Sequence, residues 1–197
     1  MEWGATRSRC VAWKDTGRVL CTAALVSRLN VALVAPSMNI LGGQAVQASR
    51  LLRAWTDDPD VRAWLVPINP IPPGPFAALT RIKYVRTVAT QLCYWPLLLR
   101  ELRRADIVHV FSASYSSFLL SPLPAILVAK VLGKPVVVNY RSGEAPDHLR
   151  RSAVARAVLK SVDRNAVPSR FLHDVFASFG IRSVSYTHLT LPTIYSV

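Results

Sequence analysis

Val31-Ala32-Leu33-Val34-Ala35-Pro36-Ser37-Met38-Asn39-Ile40-Leu41-Gly42-Gly43-Gln44-Ala45-Val46-Gln47-Ala48-Ser49 is the stretch that decides the fold. Its first five residues are an unbroken apolar run, the pattern of a parallel strand buried on both faces. A short loop ends in Gly42-Gly43. From there Ala45, Ala48, Leu52 and Trp55 recur at helical spacing on one face. A strand, a glycine turn and a helix N-terminus make a place where backbone amides face an anion.

Moving outward, strand patterns at 31–35, 61–67, 106–111, 135–140 and 165–168 alternate with helical patterns at 44–55, 76–104, 118–132, 146–162 and 171–179. This alternation predicts an α/β fold, a parallel sheet covered on both faces. Gly133-Lys134-Pro135 stops one helix and starts a strand. Pro70-Ile71-Pro72-Pro73-Gly74-Pro75 is a stiff connector. Residues 111–129 carry no charge, but Pro122, Pro124 and several serines favour a strand end, a loop and a buried helix over a membrane span.

With 197 residues, the chain has room for one ordinary domain, and 51% apolar residues rule out a disordered chain. A net charge of +13 favours anionic partners: lipid surfaces, nucleic acid or phosphorylated substrates. There is no RNA-binding signature and no aromatic stacking array, so nucleic acid is not expected. Cys10, Cys21 and Cys93 are far apart and odd in number, which suggests a reducing compartment and no zinc site. The histidines have no ligand spacing either.

Both ends read differently from the middle. Residues 1–29 are basic and aperiodic: a signal peptide without a convincing cleavage pattern, or an extension upstream of an alternative start at Val26. The second reading is favoured. Residues 184–193 resemble a translation of the transposase adapter used in sequencing libraries, the alternative being a genuine threonine-rich strand. The expected organisation is an extension over 1–29, a domain over 30–183 and a non-native tail over 184–197.

Four places carry a family resemblance: the diglycine loop from Pro36 to Gln44; Ala105-Asp106-Ile107-Val108-His109-Val110; Gly133-Lys134-Pro135-Val136-Val137-Val138-Asn139-Tyr140-Arg141-Ser142-Gly143-Glu144; and Asp163-Arg164-Asn165-Ala166-Val167-Pro168-Ser169. Residues 30–182 resemble the N-terminal domain of a family 4 glycosyltransferase of GT-B fold, a Rossmann-like doubly wound sheet. The resemblance implies transfer of a sugar from a nucleotide-sugar donor to a hydroxyl acceptor, lipid-linked in many relatives, with retention at the anomeric carbon. The nucleotide-sugar is a substrate. No cofactor and no metal are implied, and the location implied is cytoplasmic, peripheral to the inner face of the membrane. The second, donor-binding domain of that fold is absent, so this chain by itself should not transfer sugar.

Under the resemblance, Gly42 and Gly43 face the donor phosphates; a tight turn needing positive φ is the alternative. Asn39 and Gln44 reach sugar or acceptor hydroxyls, or cap the helix. Ser112 borders the cleft, because ligands bind outside the carboxyl ends of parallel strands. Ser142 and Gly143 line the acceptor side. Arg141 stands where many relatives carry a histidine. Its pKa is too high for proton shuttling, so it would grip a phosphate or an acidic acceptor, or be a surface cation. Glu144 is a base or a hydroxyl contact, or a carboxylate favoured by the helix dipole; Asp147 has the same alternative. His109 reads as a satisfied core histidine. No glycine-flanked elbow supports a serine nucleophile.

On the predicted helix 146–162, Arg150, Arg156, Lys160 and the following Arg164 share an arc opposite Val154, Val158 and Val162. This is a solvated face or a footprint for an anionic membrane, to which Arg81, Lys83 and Arg86 would add. The competing function is a basic α/β module that binds membrane or nucleic acid without chemistry. A dehydrogenase is disfavoured because no G-x-G-x-x-G is present.

Overall fold

The computed structural model describes residues 28–38, 42–70 and 83–186. Within them, strands and helices alternate: β1 (Leu29–Ala35), α1 (Gly43–Thr56), β2 (Val61–Pro67), α2 (Lys83–Arg103), β3 (Ile107–Ser112), α3 (Tyr115–Leu120), α4 (Pro122–Val131), β4 (Val136–Tyr140), α5 (Ala145–Arg151), α6 (Ala153–Ser161), β5 (Arg164–Val167), α7 (Arg170–Ser178) and β6 (Val184–Ser185). The strands form one sheet in the order β2-β1-β3-β4-β5-β6, every neighbouring pair parallel. This is a Rossmann-like, doubly wound α/β fold.

β1 sits inside the sheet, and its residues from Val31 to Ala35 are all buried, as an unbroken apolar run demands. Alternation along the strands divides two cores. Ala32, Val34, Val108, Val110, Val136, Val138 and Tyr140 point to one face and pack under α2 to α7. Leu33, Ala35 and Phe111 point to the other, where Ala48, Leu51 and Leu52 of α1 meet them. Each fully buried leucine or phenylalanine in these layers, such as Leu98, Leu149 and Phe176, is worth about 1.5–3 kcal/mol of burial. Gly133 adopts φ 67 just past α4, the left-handed helix stop that the Gly133-Lys134-Pro135 reading requires.

Two aspartates from the recurrent motifs fasten the amino end of the sheet. Asp106 accepts hydrogen bonds from the Asn30 main-chain N–H at 2.8 Å and from Asn30 Nδ2 at 2.9 Å. Asp163 accepts from Val136 N–H and from Lys130 Nζ, both at 2.9 Å. These donors hold both carboxyls below the usual carboxylate range.

Three expected helices differ from the sequence reading. The 118–132 pattern begins earlier, at Tyr115, and is two helices meeting at Ser121, because Pro122 opens a helix but cannot donate within one. The 146–162 pattern breaks at Ser152, whose hydroxyl accepts from Ala155 N–H and caps α6. The 76–104 pattern is helical over Lys83–Arg103 and runs through Pro96; its first residues lie outside the described ones, as do residues 71–75 of the proline connector.

The break at Ser152 dismantles the expected cationic arc. Arg150 belongs to α5, Arg156 and Lys160 to α6, and Arg164 to β5. Arg156 turns back to donate to the carbonyls of Leu149 and Arg150, closing the end of α5. Val154 is half-exposed, and the buried stripe of α6 is Ala155 and Leu159, followed by Val162. Arg81 lies outside the described residues. No described helix is long and apolar enough to cross a membrane.

Candidate functional site at the carboxyl ends of the strands

From β1 the chain crosses to β2 on one side; from β3 it moves to β4 on the other. β1 and β3 are neighbours, so the sheet reverses its winding between them, and the crevice outside their carboxyl ends is where ligands of such sheets sit. Three loops meet there: those after β1, β3 and β4.

The loop after β1 delivers the start of α1. Gly42 is its N-cap residue, in an extended conformation (φ −165, ψ 158), and among the described residues no side chain caps the helix. Neither Gly42 nor Gly43 has a positive φ, so the tight-turn explanation for the pair fails. A Cβ built on either meets nothing within 4 Å. The glycines leave open space over uncapped first-turn amides, the geometry that admits an anion. Gln44 Nε2 donates to the main-chain oxygen of Ser112 at 3.2 Å, tying α1 to the end of β3. Ser112 itself is fully buried, and its hydroxyl donates to the Ala113 carbonyl at 3.1 Å. What Ser112 offers is a main-chain anchor for Gln44. Asn39 lies outside the described residues.

The loop after β4 carries Arg141. Its guanidinium lies 5.9 Å from the Phe111 ring centroid and 5.7 Å from that of Tyr186. Arg141 Nε donates to the Tyr186 hydroxyl at 2.9 Å, which in turn donates to Asn139 Oδ1 at 2.8 Å. Arg141 and Gln44 therefore flank consecutive residues of β3, Phe111 and Ser112. The terminal nitrogens of Arg141 take no hydrogen bond among the described residues. Tyr186 follows β6, which pairs with β5, so the first residues of the adapter-like stretch contact this site. Ser142 Oγ accepts from Glu144 N–H at 3.3 Å. Gly143 and Glu144 are exposed, and Glu144 precedes α5 without a side-chain capping bond.

His109 lies on the α1 face, stacked 5.5 Å from Phe111 and tilted 6.3 Å from Trp55. Packing makes it a core residue, but its Nε2 is buried without a partner among the described residues, so it is not the satisfied histidine expected. Burial, helped by the charge of Arg141, pulls its pKa down to about 4, and the ring is neutral near pH 7.

Sequence reasoning missed a second polar cluster on the opposite face. Ser114 Oγ and the Tyr140 hydroxyl share a hydrogen bond at 2.9 Å, and Tyr140 and His148 Nδ1 share another at 2.9 Å. Beside them Tyr115 holds φ 55, a left-handed conformation that is sterically costly for a bulky residue. Its hydroxyl donates to Asp147 at 2.7 Å, and Arg151 donates to the same carboxylate at 2.9 Å. The Tyr115 bond to Asp147 pushes the phenol up to about 12 and holds the carboxyl low. Ser37 and Asn69 form a reciprocal pair, Ser37 N–H to Asn69 Oδ1 at 3.1 Å and Asn69 Nδ2 to Ser37 Oγ at 3.0 Å, joining the loops after β1 and β2. Ser37, Tyr140 and Asp147 stood in the stretches the sequence singled out, but none of their partners could be read from it; each contact exists because the sheet order brings separate loops to one edge.

No protein-family model matches this chain, and no curated protein matches it.

Proposed function

We propose that this chain is the acceptor-side lobe of a retaining glycosyltransferase of family 4 type, moving a sugar from a nucleotide-sugar to a hydroxyl acceptor. The observation that carries the reading is the convergence of the open diglycine start of α1 and the Arg141 guanidinium on Phe111 and Ser112, at the winding reversal of the sheet. A helix N-terminus and a permanently charged arginine are the groups that stabilise a departing phosphate without a metal. Gly42 and Gly43 would face the donor phosphates. Arg141 would hold charge, since it cannot shuttle a proton. Glu144, exposed beside Ser142 and Gly143, is the candidate base or hydroxyl contact, and Gln44 and Asn39 complete the acceptor wall. The donor-binding lobe would come from a second domain facing this edge.

The gene read past the codon for Ser183 tests the reading. A further α/β domain with an acidic nucleotide-sugar motif is the expected result; a stop codon there would favour a binding module without chemistry. Independently, pyrophosphate added to the chain should shift the amide resonances of Gly42, Gly43 and Gln44 and the Nε resonance of Arg141. Unmoved resonances at high millimolar pyrophosphate would count against a phosphate-facing edge.

A further inference from the structure

We propose that a cavity at the amino ends of β1 and β2, at the opposite end of the sheet from the crevice, is a binding site for a small phosphomonoester. Asn30, Arg62, Ala63, Trp64 and Arg104 line a space of about 330 Å³. β1 and β2 pair in parallel with Asn30 beside Arg62, so Asn30, Arg62 and Trp64 share the sheet face that α2 covers. Arg104 follows the last turn of α2 and holds its guanidinium 5.9 Å from the Trp64 ring centroid. The cavity stands about 16 Å from the crevice, the length of β1 from Asn30 to Ala35.

The lining chooses an anion. None of the five lining residues is acidic, and two are arginines, whose planar guanidinium groups grip phosphate oxygens in pairs. The Arg62 side chain is exposed and has no hydrogen bond or ion pair among the described residues. Arg104 gives Nη2 to Glu101, a carboxylate that also lies 3.6 Å from Arg100; the pair fixes the guanidinium beside Trp64 and neutralises the acid. Asp106, next to Asn30, is taken by the Asn30 N–H and Nδ2. Two further donors stand among these cations. β2 is an edge strand, and Leu29 N–H donates to the Asp60 carbonyl while Ile68 N–H donates to that of Ala35. In that register the Ala63 N–H turns outward, away from β1. The Trp64 Nε1–H is buried without an acceptor among the described residues, and buried donors normally have one. The volume lies at the lower end for small-molecule sites and exceeds what a bare phosphate ion fills. A phosphate carrying a sugar or a base fills it and lays its body against the indole. The site holds whether or not the crevice transfers sugar.

The test is an NMR titration of the isotope-labelled full chain with ribose phosphate, adenosine monophosphate and inorganic phosphate. At least one of the two esters should give saturable shifts of the Trp64 indole N–H, the Ala63 amide and the Asn30 side-chain amide. It should bind about tenfold or more tighter than inorganic phosphate, since the body adds its contact with the indole. R62Q should weaken that binding by about tenfold, the worth of one charge-assisted contact, and leave any shift at Gly42 and Gly43 in place. Arg62 is exposed, so the variant should keep the wild-type circular dichroism. Tighter binding of adenosine monophosphate assigns the body as a base, and tighter binding of ribose phosphate assigns it as a sugar. The proposal is overturned if neither ester moves the three resonances, if inorganic phosphate binds as tightly as both esters, or if R62Q binds them as the wild type does. Shifts confined to Gly42, Gly43 and Arg141 would also overturn it while supporting the phosphate-facing crevice, so the two sites fail or stand on different residues.

Discussion

Gln44, in the first turn of α1, donates its side-chain amide to the main-chain oxygen of Ser112 at the end of β3, 3.2 Å away. One hydrogen bond thus fastens the diglycine entry of the helix to the strand at which the sheet reverses its winding. Replacing Gln44 by Ala should cost about 0.5–1.5 kcal/mol in urea-induced unfolding, the net value of one partly buried bond. It should also raise amide exchange at Gly42 and Gly43 more than in β5 or α7. A variant with unchanged stability and unchanged exchange at both glycines would show that the bond does not hold the loop.

Arg141, Tyr186 and Asn139 form a hydrogen-bonded chain at the same edge, Arg141 donating to Tyr186 and Tyr186 to Asn139 Oδ1. Tyr186→Phe keeps the ring beside the guanidinium and removes both hydrogen bonds. Asn139 is buried, so its freed oxygen should make the change cost about 1–2 kcal/mol. The Nε–H of Arg141 should exchange faster with solvent, read by NMR. Equal stability and an unaltered Nε signal would dissociate Tyr186 from the site.

His109 makes a pH prediction with a definite sign. Unfolded, it takes up a proton near 6.5; folded, it does so only near 4. Below pH 6.5 the unfolded chain therefore binds more protons, and stability falls as pH drops through the window from 6.5 to 4, by up to roughly 3 kcal/mol. His109→Leu removes the titrating group and the orphaned Nε2 together. Its stability between pH 6.5 and 4 should fall less steeply than that of the wild type. Parallel curves would refute the assignment. The lowered carboxyls of Asp106 and Asp163 add losses at lower pH, where they protonate, and these are common to both proteins.

Tyr140 links Ser114 to His148 across a buried interval. Tyr140→Phe leaves two polar partners without their bond and should destabilise by about 1–3 kcal/mol. Ser152→Ala, by contrast, removes only the cap of α6 and should cost about 1 kcal/mol. If the two substitutions fall in the opposite order, the Ser114–Tyr140–His148 chain is not the structural tie described.

Much of the fold was written locally. The 31–35 run, the Gly133-Lys134-Pro135 stop and the alternation of periods each follow from interactions within a few residues, and each reappears in the structure. The helix break at Ser152 is absent from the sequence reading, because amphipathic periodicity continues across it and conceals the cap. Val184 and Ser185, which open the adapter-like stretch, pair with β5. The residue of this stretch at the site, Tyr186, had no signal at all.

The amino-acid sequence by itself determined a parallel α/β sheet with a glycine-opened helix after its first strand, because hydrophobic period, caps and glycine stops are properties of neighbouring residues. Tertiary structure decided which loops share an edge: Gln44 with Ser112, Arg141 with Phe111 and Tyr186, Tyr115 with Asp147. It also decided that α2 would leave an apolar stripe in solvent. Both depend on strand order and on which helix faces are covered, and those are set by packing between segments far apart in the chain.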